Sequence, residues 1–148
     1  MKTLRFLLLT AAALLALVSC DFAPVMVSMH VTDEAGHDRL DPYSDYFIGE
    51  NITAVYEGQT YPAQMTFLSP ATKVYAPRFF GLEWRYDREY GYYLCFGEFD
   101  GATSQDITVT YNWPDGTFDT IHVTHVRFFG DTWRLNGKRV YPPLSLVK

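Results

Sequence analysis

From Asp21 onward, period-two apolar alternation recurs between turn signals, and no stretch holds a convincing 3.6-residue apolar period over a useful length. An extended backbone sends alternate side chains to opposite faces, so this period dictates strands with one face buried. In residues 24–33, Val25, Val27, Met29 and Val31 share one face, while Met26, Ser28, His30 and Thr32 share the other. Further strands are predicted at 52–56, 61–68, 80–86, 92–99, 107–112, 118–127, 132–135 and 138–141. The stretch 92–99 is apolar on both faces for most of its length, as a central strand is. Turn chemistry separates these segments. Asn136-Gly137 is the preferred pair for a type I′ hairpin, and Trp113-Pro-Asp-Gly116 combines a fixed φ, a side chain that bonds its own backbone and a residue free to take positive φ. Gly58 supports a hairpin between 52–56 and 61–68. Pro62 lacks an amide hydrogen and marks an edge or a bulge, and Pro142-Pro143 ends the last pairing. Short strands at this spacing predict an all-β chain, an immunoglobulin-like β-sandwich of about seven to nine strands.

The first twenty residues follow a different logic. Lys2 and Arg5 precede an apolar run from Phe6 to Val18, broken only by Thr10. This is the charged start and apolar body of a signal helix. The uncharged stretch ends at Cys20, short of the roughly 18 or more residues that cross a bilayer unaided. Leu17-Val18-Ser19-Cys20 resembles a bacterial lipobox. The resemblance implies cleavage between Ser19 and Cys20, a lipid on the Cys20 thiol, removal of residues 1–19, and a β-sandwich domain over 20–148. Two or three acyl chains give stable anchoring, at about 0.8 kcal/mol per buried methylene, where a single chain gives only marginal binding. The alternative is an ordinary secretory peptide with an incidental cysteine. The full chain has a formal charge of -5, and removing Lys2 and Arg5 makes the remainder more acidic still. No run of basic residues offers the clustered positive surface that nucleic acid requires, so no nucleic-acid partner is expected.

Few residues nominate chemistry. With Cys20 lipidated, Cys95 is an unpaired thiol in an exported chain, and its apolar surroundings predict an inert buried side chain. Asp33, Asp38 and Asp41 around Gly36 superficially resemble a calcium loop, but their spacing is not that of an EF-hand, and Asp and Gly are common turn residues. The stretch from Asp100 to Asp106 reads the same way. His122 and His125 lie three apart on a predicted strand, where they point to opposite faces and do not make a joint zinc site, and His30 and His37 have no better metal partner in the local sequence. Glu98 and Asp100 merely share a strand face, which does not make them a glycosidase acid and base. No nucleophile elbow, zinc-protease helix or phosphate-binding glycine loop occurs. No metal or cofactor is therefore expected. Trp84, Tyr86, Tyr90, Tyr92 and Tyr93 form a dense aromatic stretch, which either packs the core or offers platforms for sugar rings or a protein partner.

The start Cys20-Asp-Phe-Ala-Pro24, the turn 31–42, and the motifs Tyr93-Leu-Cys-Phe-Gly-Glu-Phe-Asp-Gly101, Asn112-Trp-Pro-Asp-Gly-Thr117 and Trp133-Arg-Leu-Asn-Gly137 resemble the small cell-envelope lipoproteins abundant in Bacteroidetes. These motifs carry fold and export but no chemistry, and the resemblance implies no assigned activity. It implies an exported lipoprotein of the cell envelope, at the outer membrane, with its facing left open. The expected role is a non-enzymatic binding or accessory module for a glycan or an envelope protein, held to the membrane at Cys20. The alternative from another class is a structural or adhesive subunit that assembles through edge strands. A small hydrolase without a recognisable motif is third.

Overall fold

The structure, a computed structural model, describes residues 22–65 and 79–148. Its eleven described strands are β1 (Val25–Thr32), β2 (Thr53–Tyr56), β3 (Gln59–Pro62), β4 (Gln64–Met65), β5 (Leu82–Asp87), β6 (Gly91–Phe99), β7 (Gln105–Asn112), β8 (Phe118–Val126), β9 (Gly130–Leu135), β10 (Lys138–Val140) and β11 (Leu144–Val147). They form two sheets in a sandwich-like arrangement, ordered β11-β1-β6-β5-β4 and β10-β9-β8-β7-β2-β3. The all-β class read from the alternation is the observed one. Cys20, its neighbour Ser19 and the rest of the expected signal segment lie outside the described residues, as does the end of the strand expected at 61–68.

Alternation sorts each strand between core and solvent. Val25, Val27, Met29 and Val31 are buried from β1, Leu94, Phe96 and Phe99 from β6, Ile107, Val109 and Tyr111 from β7, and Ile121 and Val123 from β8. With Leu40, Ile52, Ala54, Trp84, Trp113 and Trp133 they make one hydrophobic cluster between the sheets. One end of the core is aromatic: Tyr56, Tyr61, Phe79, Phe96 and Phe99 meet mostly edge to face at centroid distances of 5.4 to 6.1 Å. A bulge makes room for Phe99. Between Val25↔Phe99 and Val27↔Phe96, β6 carries one residue more than β1, at Gly97, whose φ is +87°. A Cβ on Gly97 would lie 2.3 Å from the Phe99 ring, so glycine serves both the backbone and the packing.

Two turns are as expected and one is tighter. Asn136-Gly137 takes positive φ at both residues between Leu135 and Lys138, and the 113–117 turn closes with Asp115 Oδ1 accepting from Thr117 N and Oγ1. Glu57-Gly58 forms a two-residue connection with positive φ at both positions, so β3 starts at Gln59 rather than Tyr61. Pro62 ends β3 at the outer edge of its sheet, where its missing hydrogen costs no ladder bond. The strand expected at 61–68 is divided at Ala63, and β4 moves to the other sheet, pairing parallel to β5. Pro142-Pro143 does end β10, but the chain then re-enters pairing as β11, parallel to β1. These two events raise the count above the nine strands read from the sequence.

The carboxylate of Asp119, 6% exposed, ties the two ends of the chain order together. It accepts from Trp113 Nε1 at 2.7 Å, from Asn136 Nδ2 at 2.6 Å and from Lys148 Nζ at 2.7 Å. Lys148 also donates to Thr117 Oγ1, lies over the Trp113 ring, and donates its backbone amide to Thr32 O at 2.7 Å. Sheet-to-sheet closure at this end thus runs through one buried charge with three donors, an arrangement that satisfies a carboxylate out of water.

Burial alone raises the pKa of Asp119, but the bonds from Lys148, Asn136 and Trp113 outweigh it and hold the carboxyl below its ordinary range. A lowered native pKa means that its stabilisation is complete above about pH 4 and is lost as pH falls through the native value. Asp119→Ala should therefore cost about 2–4 kcal/mol in urea unfolding at pH 7. The gap from wild type should narrow at pH 3; a constant gap would show that the charge contributes nothing. Tyr111 presents the opposite case, a fully buried ring whose hydroxyl has no partner among the described residues. Removing an unsatisfied buried hydroxyl relieves its desolvation, so Tyr111→Phe should leave stability unchanged or raise it by up to about 1 kcal/mol. A clear fall in melting temperature would contradict this.

Candidate functional site

The outward row of β1 is Met26, Ser28 and His30, the polar face of the alternation. Across the ladder, β6 sets Cys95 beside Ser28 and Tyr93 toward His30, and the β5–β6 turn brings Tyr90 there as well. Two adjoining depressions open along this row. One, of about 520 Å³, is lined by Met26, Ser28, His30, Trp133, Pro142 and Pro143, among others; the second, of about 200 Å³, is lined by Ser28, His30, Asp87, Tyr90 and Tyr93. Ser28 and His30 belong to both, which makes one groove with an aromatic end and a proline-walled end.

His30 Nδ1 lies 3.1 Å from Tyr92 O, so this nitrogen carries the proton and donates to the carbonyl. The rings of Tyr93 and Tyr90 stand 5.8 and 6.1 Å from the imidazole, tilted by 48° and 47°. Tyr90 is 58% exposed and held by Asp87, whose Oδ1 accepts from Glu89 N at 2.7 Å and Tyr90 N at 3.2 Å. Burial, with Cys95 adding to it, pushes the Tyr93 phenol up, so it stays a neutral hydroxyl. Ser28 Oγ donates to Cys95 Sγ at 3.5 Å rather than to His30. A nucleophile needs its base within hydrogen-bond reach and the base needs an orienting acid. Here the serine faces sulfur and the histidine faces a carbonyl. The groove offers an exposed ring face at Tyr90 and a few fixed polar atoms.

Cys95 is buried as expected, yet on the opposite face of β6 from Leu94 and Phe96, covered by Ser28 and Met26. Burial pushes its thiol up despite the Ser28 bond and the Arg85 charge, which keeps it un-ionised and unreactive. The aromatic stretch divides. Trp84 and Tyr92 face inward and pack on the core, Tyr86 leaves it at 57% exposure, and Tyr90 and Tyr93 reach the groove.

The aspartates of 33–42 serve turns. Asp33 accepts from His37 N and bonds its ring, Asp38 accepts from Leu40 N and Tyr92 N, and Asp41 accepts from Tyr43 N. His37 stacks on Tyr46 at 4.2 Å. Asp100 Oδ1 accepts from Ala102 N, and Asp106 pairs with His122 at 3.3 Å. His122 and His125 do part to different partners. His125 Nδ1 meets Asp131 at 2.6 Å and Nε2 meets Gly101 O at 2.9 Å. Both partners only accept, so both nitrogens carry protons. Burial opposes that charge, but Asp131 and the carbonyl prevail and raise the pKa. Among the described residues, no group of three or more His, Cys, Asp or Glu is placed to hold a metal ion, and no helix is long and apolar enough to cross a membrane.

Tyr90 and Tyr93 stand out in the sequence whereas Ser28 and His30 do not, because the groove joins positions some sixty residues apart across a ladder. The outward polar row of β1 was the available signal. No protein-family model matches this chain, and no match was found among curated proteins or solved structures.

Proposed function

We propose that this chain is an exported lipoprotein of the bacterial cell envelope, anchored through lipid on Cys20 at the outer membrane, whose β-sandwich is a non-enzymatic binding module for a glycan. The groove along β1 carries this reading. Tyr90 offers an exposed ring face of the kind on which a sugar stacks, and His30 and Asp87 stand beside it as hydrogen-bonding groups. The likeness to small Bacteroidetes lipoproteins supports the location. Assembly through edge strands is less well supported, since β3, β10 and β11 are only three or four residues long and β10 carries Lys138 and Arg139.

Two measurements test the two halves of the proposal. Radiolabelled fatty acid should enter the wild-type protein in a lipoprotein-processing host and be absent from Cys20→Ala; equal labelling would remove the anchor. On a glycan array, the wild type should bind at least one saccharide class, and Tyr90→Ala should weaken that binding roughly tenfold, the worth of one stacked ring. Identical signals from both proteins would turn the reading toward a protein partner.

A further inference from the structure

The β8–β9 hairpin exposes its most apolar residues at its tip. Phe129 is 89% exposed and Phe128 72% exposed, and Phe128 holds a φ of +71°. Bulky residues avoid that left-handed backbone, so strain and exposed rings coincide in one three-residue turn. Neither serves the core. The chain entering β1 is fixed to this same tip. Phe22 meets Phe128 edge to face at 5.4 Å, and the Arg127 guanidinium lies over both rings, at 4.8 and 4.6 Å. Behind them, Ala23 sits on Gly101 so closely that a Cβ there would fall 2.1 Å from the Ala23 carbonyl oxygen. Gly101 O is in turn held by the doubly bonded His125, and Arg127 N donates to Ser104 Oγ. One end of the sandwich is thus built around the segment that leads to Cys20. Only Asp21 lies between Cys20 and Phe22, so two residue steps, at most about 7 Å of chain, part them.

We propose that the Arg127-Phe128-Phe129 tip docks into the surface of the lipid bilayer that holds the anchor. This rests on the reading of Cys20 as the lipidated residue. Acyl chains on Cys20 place the bilayer surface within a few ångströms of Phe22, and therefore of the tip. Exposed phenylalanines enter the boundary between headgroups and acyl chains, while the guanidinium stays level with the lipid phosphates. An apolar pair flanked by a cation fits that layered chemistry, and burial in lipid removes the cost of displaying both rings to water. Anchor and tip together make a two-point attachment. The sandwich then stands on this end, with the 113–117 and Asn136-Gly137 turns farthest from the membrane.

The test uses the full lipidated protein in phosphatidylcholine vesicles, with an environment-sensitive fluorophore on Phe129→Cys, Cys95 being buried and Cys20 consumed by lipid. The same probe on Glu34→Cys, an exposed turn residue at the opposite end, serves as reference. Brominated acyl chains should quench the Phe129 probe severalfold more than the Glu34 probe. Flotation with the vesicles reports the anchor separately. A protein that floats but shows equal quenching at both sites overturns the docking alone, and so does a tip probe shielded from lipid by a bound protein. A wild-type protein that does not float overturns the anchor and the docking with it.

Discussion

The inward row of β1 is the constraint on which the domain depends. Val25, Val27, Met29 and Val31 leave water together, and only because both neighbours of β1 present apolar rows at the same height, Leu94 and Phe96 on β6 and Leu144 on β11. A shift of one residue in either ladder would turn Ser28 and His30 into the core and the valines into solvent. The bulge at Gly97 keeps that register while admitting Phe99, so backbone irregularity here protects the side-chain pattern rather than breaking it.

Inward packing also explains the outward groove. His30 and Ser28 are displayed because their neighbours on the strand are buried, and Tyr90 and Tyr93 meet them because β6 pairs with both β1 and β5. The groove needs no strain of its own. Its polar atoms are held by bonds to the ladder, His30 on Tyr92 O and Tyr90 N on Asp87, which leaves the ring faces and the remaining lone pairs to whatever enters.

Most strands were legible because their periodicity and their turn residues agree. Asn136-Gly137 and the 113–117 turn carry their own geometry, and Pro62 named its edge. What escaped was set by tertiary pairing. β4 falls within the segment expected as one strand at 61–68, and what the period does not show is its move to the other sheet, where β5 offers a parallel edge. β11 follows two prolines that announce a stop, and its pairing with β1 spans more than a hundred residues. Cys95 sits in a run apolar on both faces, where parity alone cannot separate core from outer face. The groove was half visible: the tyrosines stood out by composition, whereas Ser28 and His30 read as the ordinary wet side of a strand.

The parallel pairing of the first strand with the last has a mechanical meaning. β1 begins at the end where Phe22 meets the Arg127-Phe128 turn, and β11 finishes at the opposite end, latched by Lys148 to Asp119 and Thr32. A pull between the start of β1 and the end of β11 therefore drags the two strands past each other along their length. The hydrogen bonds between them are loaded side by side and must yield together, whereas strands peeled from one end give way one bond at a time. Under the lipid anchor proposed at Cys20, a load on the far end of the domain would run along this axis.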